Sequence, residues 1–280
     1  MDNELKLWLA VTRHLPRVRG AGLIADRIAN FYLRKPRDTV AIDVLEARME
    51  LEPAENIDSG LLFCPQLYDF QEISFMRDNL PADSCFIDVG ANIGFYSLIA
   101  STVVGGEGRV IAIEADPYNY NKLLINIELS GATNVLALNI GVSDKRETLR
   151  LGLNVSGNRG GNSFYRQGEG VVGVDVPCVP LHEILMQQGV QRVGGAKLDI
   201  EGFEFRVLSS FFAESDYTLY PKFIIVEQNT TLSTQLGGVQ IEGDVVELLM
   251  TQGYKPYSEP RSSLAPSRLN QLMVLQDGSR

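Results

Sequence analysis

The chain of 280 residues reads as an α/β protein built on a mostly parallel sheet. Three observations predict this. From Ser84 onward, short apolar runs alternate with segments of helical period, the pattern of strands buried on both faces by helices. The runs end in acids or glycine turns, as strand C-termini at a ligand-binding edge do. Hydrophobic residues make up 45% of the chain, which is enough for a sizeable core.

The strand candidates are Cys85–Val89, Val110–Glu114, Val135–Asn139, Ala196–Ile200 and Phe223–Glu227. Helices are expected at 94–104, 117–130, 181–189 and 203–212. Leu149–Leu153 reads as a further strand. Near the end, Gly243–Gln252 reads as a helix stopped by Gly253, and Tyr254–Tyr257 and Leu272–Leu275 as two closing strands. Ahead of this domain, taken as 81–280, an extension over 1–80 is mostly helical. Residues 4–15 place Leu5, Trp8, Leu9, Thr12 and Leu15 at helical spacing. Gly22–Leu33 places Ile24, Ile28 and Phe31 on one side. Residues 40–64 read as short strands or irregular chain, and Gln66–Leu80 as a helix ended by Pro81.

Charge and composition exclude several functions. The net charge of −10 argues against a general nucleic-acid binder, so none is expected as a partner. The charge is uneven: residues 1–40 carry eight Lys/Arg and four Asp/Glu, and the remainder is strongly acidic. Such a basic amphipathic arm can lie on an anionic membrane or cover a second subunit in a homodimer. The commoner outcome is packing on the chain's own core, with Arg13, Arg17 and Arg19 solvated. Three scattered cysteines give no zinc spacing and no disulfide framework. With acids where a signal peptide wants cations, and no apolar run of spanning length, a cytoplasmic location is expected.

The most informative stretch is F-I-D-V-G-A-N-I-G-F-Y-S at 86–97. It is a strand, a glycine turn and a helix start, which together present unpaired backbone N–H groups to a nucleotide-like ligand. Asp88 at the strand end would repel a pyrophosphate and suits a cationic or hydroxyl-bearing ligand. S-adenosylmethionine, with an ammonium and a sulfonium, fits. The G-x-G-x-x-G fingerprint and the phosphate loop are absent, which weakens the rival reading of an NAD-dependent oxidoreductase. Glu114, 20 residues past Gly94, ends the next strand, where an acid can accept hydrogen bonds from ribose hydroxyls.

A second acidic motif is K-L-D-I-E-G-F-E at 197–204, and a third acid, Glu227, closes F-I-I-V-E. Asp88, Glu114, Asp199, Glu201 and Glu227 should converge on one sheet edge and create a field suited to a cation. Hard cations also take carboxylate oxygens, but no histidine stands near to support a metal, so the site is read without one. The segment Gly152–Gly173 holds seven glycines in 22 residues and reads as a binding loop or lid, with Asn162, Ser163 and Tyr165 as polar handles for a substrate.

These motifs, with I-A-I-E-A-D-P and G-V-S-D-K between them, resemble the FkbM family of S-adenosylmethionine-dependent methyltransferases over roughly residues 66–275. The resemblance implies the class I methyltransferase fold, a Rossmann-like sheet of seven strands with the last antiparallel. It implies O-methylation of a hydroxyl on a sugar, polyketide or other secondary metabolite. Carried over by motif, Asp88, Gly90, Asn92 and Gly94 would hold the methionine part of the cofactor and Glu114 the ribose. Val142 and Ser143 would lie near the adenine. Asp199 and Glu201 would sit near the transferred methyl. Read from the residues themselves, Asp199 or Glu201 is the general base, its pKa raised by burial among other acids, and Glu227 is a candidate substrate residue. One departure is that Ala115-Asp116 separates Glu114 from Pro117. A non-catalytic cofactor-binding domain on the same fold is the other alternative.

Overall fold

The computed structural model describes residues 3–18, 20–34, 38–154, 159–168, 171–227, 243–257 and 270–276. In chain order the helices are α1 (Asn3–Thr12), α2 (Ala21–Tyr32), α3 (Asn56–Phe63), α4 (Phe70–Asn79), α5 (Phe95–Val104), α6 (Pro117–Ser130), α7 (Leu181–Gln187), α8 (Glu204–Glu214) and α9 (Val245–Thr251). The strands are β1 (Val40–Val44), β2 (Ala47–Leu51), β3 (Cys85–Val89), β4 (Arg109–Ile113), β5 (Val135–Leu138), β6 (Gly141–Ser143), β7 (Glu147–Gly152), β8 (Gly173–Pro180), β9 (Val193–Leu198), β10 (Phe223–Glu227), β11 (Tyr254–Pro256) and β12 (Asn270–Leu275).

The main sheet has seven strands in the order β11-β12-β10-β9-β3-β4-β5. Strands β10, β9, β3, β4 and β5 run parallel, and β12 is antiparallel to both of its neighbours. This is the sheet that the resemblance implies, with the last strand of the chain reversed. The order turns back at β3 and β9, so the switch point of the sheet opens between their C-termini, where a doubly wound sheet binds ligand.

All five residues of β3 are buried, as an interior parallel strand requires. Its alternation divides the core. Phe86 and the β10 residues Phe223 and Ile225 face a cluster shared with α4, α5 and the N-terminal helices. Cys85, Ile87 and Val89 face the other cluster, with α7, α8 and α9. The extension therefore shares one continuous core with the sheet domain, across the boundary that the sequence places at residues 80 and 81.

The extension differs in detail from expectation. Val40–Val44 and Ala47–Leu51 form a hairpin, and α3 follows it. The helix expected from Gln66 begins only at Phe70, because Asp69 takes a left-handed conformation at its N-cap. Helix α2 buries Ala21, Ala25, Ala29 and Tyr32 and leaves Ile24 and Phe31 exposed, the reverse of the face that the large apolar residues predict. Small residues let this helix approach the core closely. Arg13 is not solvated: its Nε donates to the Leu62 carbonyl and its Nη1 to that of Asp43. Arg17 stacks on the Phe70 ring, and Arg19 lies outside the described residues.

Downstream, β6, β8 and β7 form a second sheet that the sequence reading lacks. The glycine-rich segment is the connection between β7 and β8. Residues 155–158 and 169–170 of it lie outside the described residues. The rest holds a 3-10 turn at Arg159–Gly161 and a bridge between Gly152 and Ser163.

Candidate active site

The C-terminal ends of β3, β4 and β9 open into a cavity of about 280 Å³. Asp88, Gly90, Asn92, Glu114, Val142, Asn162, Asp199, Glu201 and Glu227 all line it. The five acids expected at one rim do meet there. Local chemistry fixes each position. Gly90 has φ +79°, and a Cβ there would stand 1.9 Å from the Asp199 carbonyl oxygen, so only glycine lets the ends of β3 and β9 come this close. The Glu114 carboxylate accepts from the backbone N–H of Asn92 (2.7 Å) and of Asp116 (2.8 Å), which ties the end of β4 to the glycine turn. Burial pushes its pKa up to about 7 despite these donors.

Asp88 is fully buried beneath α5. Its Oδ2 accepts from the Ser97 hydroxyl at 2.6 Å, and its Oδ1 is buried with no hydrogen-bond partner. A buried acceptor without a donor is costly, and one in a cavity wall is a place for a ligand's cation or N–H group.

Asp199 and Glu201 follow β9 directly. The Glu204 carboxylate at the start of α8 accepts from the N–H groups of Ile200 (2.8 Å) and Gly202 (2.9 Å) and so holds the turn between them. Glu201 sits in that turn at φ 51°, a conformation that side-chain-bearing residues seldom adopt. Such strain is characteristic of positions held for function.

The electrostatics are asymmetric. Confinement in the cavity wall works against the charge of Asp199, but Lys197, whose Nζ lies 2.7 Å from its Oδ2, outweighs this and holds the carboxyl below its usual range. This corrects the expectation of a raised pKa there. Burial and the neighbouring Asp199 push Glu201 up to about 8 and Glu227 up to about 9. Charge is thus favoured on Asp199 and disfavoured on Glu201 and Glu227. One ligand atom from each of Asp199, Glu201 and Glu227 lies within 4.8 Å of the other two, so the three form a carboxylate group of the kind that can hold a cation.

Four expected site residues stand behind the lining. Gly94 caps α5, and a Cβ on it would meet the Leu123 side chain at 2.6 Å. Ser143 is wholly buried and donates to Glu147 at 2.7 Å and Asp144 at 3.1 Å, so its strand neighbour Val142 alone reaches the cavity. Ser163 donates to the Glu201 carbonyl at 2.9 Å, and the Tyr165 ring packs on Phe203. Asn162 does line the cavity, with its Nδ2 donating to Asp116 at 2.8 Å.

Among the lining residues that escaped the sequence reading, four form one polar group: Tyr68, Asp69, Tyr96 and Lys197. Tyr96 donates to Asp69 at 2.9 Å, and the Lys197 ammonium lies 4.8 Å from the Tyr96 ring centre. Tyr68 and Asp69 come from the turn before α4, so the extension forms one wall of the cavity. Of the four, Lys197 had a legible signal, being a lysine inside a buried apolar strand.

A family model described as the methyltransferase FkbM domain matches residues 88–256. The curated methyltransferase sdnD of Sordaria araneosa is 31% identical over 159 residues, which cover 46% of this chain. The match spans 61% of that protein's length. Among solved structures, a precorrin-6y C5,15-methyltransferase of Geobacter metallireducens is similar at a TM-score of 0.41 and 14% identity, over 74% of this chain and 89% of that one. An Aeropyrum pernix fibrillarin with natively bound S-adenosylmethionine is similar at 0.41 and 11%, over 73% of each chain.

Proposed function

As the chain belongs to the FkbM methyltransferase family, we propose that it methylates a hydroxyl of a small-molecule acceptor, a sugar, polyketide or other secondary metabolite, with S-adenosylmethionine as methyl donor. The cavity residues fit that donor. It carries an ammonium and a sulfonium, and the lining offers the unpartnered Asp88 Oδ1 and an excess of carboxyl groups over its one lysine. Asp88 would hold the ammonium together with the backbone around Gly90 and Asn92. Glu114 would accept from the ribose hydroxyls, and Val142 would flank the adenine. When bound, the donor supplies an electrophilic methyl group on sulfur.

The observation that carries the reading is the Lys197 ammonium 2.7 Å from Asp199 Oδ2, which favours the ionised form of that carboxyl beside Glu201 and Glu227. An alcohol must lose its proton as it attacks, and Asp199 would take it. Glu201 and Glu227, as acids, can donate hydrogen bonds to acceptor oxygens. Alignment and exclusion of water supply most of the remaining rate gain. The acidity of the whole chain favours a small acceptor over a nucleic acid.

The test compares Asp199→Asn with the parent protein, using isotope-labelled methyl donor and a library of hydroxylated small molecules. Turnover should fall by at least about 100-fold, the usual weight of a general base, with S-adenosylhomocysteine affinity little changed. Methylation of nitrogen or carbon only, or full turnover by the variant, would overturn the assignment. Activity abolished by a chelator and restored by magnesium would give the role of Asp199, Glu201 and Glu227 to a bound cation instead.

A further inference from the structure

Helices α1 and α2 bury one face of each in the core and leave the other bare. Leu7, Val11, Val18, Leu23, Ile24 and Phe31 are exposed there, Leu7 by 62% and Leu23 by 65%. Isolated exposed apolar side chains are ordinary, but these six fall within 25 residues of sequence, five of them on two helices that pack together and Val18 on the segment between them. The two outer faces are joined by Trp8 and Phe31, whose ring centres are 6.0 Å apart. The reversed packing of α2 is the cause: its alanines take the core, so its large apolar residues face outward.

Basic groups accompany the patch. Arg27 is exposed between Leu23 and Phe31, and the Arg34 guanidinium lies over the Phe31 ring at 4.9 Å. Residues 1–40 have an excess of four positive charges in a chain whose net charge is −10. We propose that this face of α1 and α2 docks on an anionic lipid surface, with the apolar side chains at the acyl boundary and the arginines among the headgroups. Charge decides the occupant. A second copy packed on this face by two-fold symmetry would set two segments of like net charge against each other. An anionic membrane complements them and repels the acidic remainder, which fixes the orientation of the molecule.

Helix α1 packs on α3, whose Asn56 and Ile57 line the cavity. Docking therefore acts on an element one step from the site.

Trp8 is the only tryptophan, so intrinsic fluorescence reports from the patch itself. The full chain is mixed with vesicles of phosphatidylcholine alone, or of phosphatidylcholine with phosphatidylserine. The expected result is sedimentation with the anionic vesicles only, weakened by salt, and quenching of Trp8 by brominated acyl chains. Arg27→Glu should weaken binding at least about 5-fold, the share of one basic side chain at a charged surface. The pair Leu23→Glu and Ile24→Glu should abolish sedimentation while S-adenosylhomocysteine binding and melting temperature stay unchanged. Protein left in the supernatant with anionic vesicles at low salt would overturn the proposal. So would sedimentation unaffected by the paired variant, or a dimer in light scattering that the same variant dissociates.

Discussion

Lys197 and Asp199 stand two residues apart at the end of one strand, with ammonium and carboxylate 2.7 Å from each other inside the cavity wall. The lysine is buried and also lies over the Tyr96 ring, so its charge is spent within the site. It favours ionisation of Asp199 over its neighbours Glu201 and Glu227.

Lys197→Met should therefore change the pH profile before it changes cofactor affinity. Without the ammonium, Asp199 binds its proton more tightly and the acid limb of the rate profile moves to higher pH. Turnover at neutral pH should fall by roughly tenfold for each unit that the Asp199 pKa rises above the assay pH. It should recover as the pH is raised. A pH–rate series with S-adenosylhomocysteine calorimetry checks this; a uniform loss at every pH would show a structural role only.

Glu114→Ala should weaken cofactor binding by roughly 1.5–3 kcal/mol, the range for a hydrogen bond to a charged group. It also frees the N–H groups of Asn92 and Asp116, so some stability should be lost. Calorimetry and thermal unfolding separate the two effects. Unchanged affinity in a folded variant would exclude Glu114 as the ribose ligand.

Stability of the unliganded protein should fall as pH rises from about 5 to about 9. Burial holds Glu72, Glu114 and Glu204 near 7, Glu201 near 8 and Glu227 near 9, against a usual value of 4.5. Over that window the folded chain binds more protons than the unfolded chain, so raising the pH favours unfolding. Glu227→Gln should flatten the upper end of the curve. Thermal unfolding across this range checks the sign, which is opposite to that of a protein held by paired carboxylates.

Asp58 and Lys122 join α3 to α6 through a buried ion pair at 2.5 Å. Asp58→Ala should cost about 3 kcal/mol, because it leaves the buried ammonium with only the longer Glu52 contact at 3.6 Å, and adding Lys122→Met should recover much of that. Chemical denaturation of the single and double variants measures both.

The central sheet was legible because buried parallel strands are continuous apolar runs: Phe86–Val89 and Phe223–Val226 have no competing reading. In the sheet of β6, β7 and β8 only β7 was legible, as Leu149–Leu153. The eight residues of β8 mix buried and exposed positions, and they start at a glycine and end at a proline, which reads as loop. The outward face of α2 was misread for a physical reason: hydrophobic periodicity points the largest apolar residues inward, whereas close packing against the core selected alanine. In the site, the acids were visible because each ends a strand. Tyr68 and Asp69 were not, since they lie in a turn between helices and reach the cavity only when the extension folds back. Tyr96 stood inside a recognised motif, yet as a helix residue it gave no sign that its hydroxyl would meet Asp69.

Two consecutive residues of the β7–β8 connection, Asn162 and Ser163, fasten to two different walls: the first to Asp116 after β4, the second to the Glu201 carbonyl after β9. A segment anchored in this way couples the wall at the end of β4 to the turn after β9. With the donor at Glu114 and the acceptor at Glu201, as proposed, the expected kinetics are ordered, S-adenosylhomocysteine competing against the methyl donor but not against the acceptor.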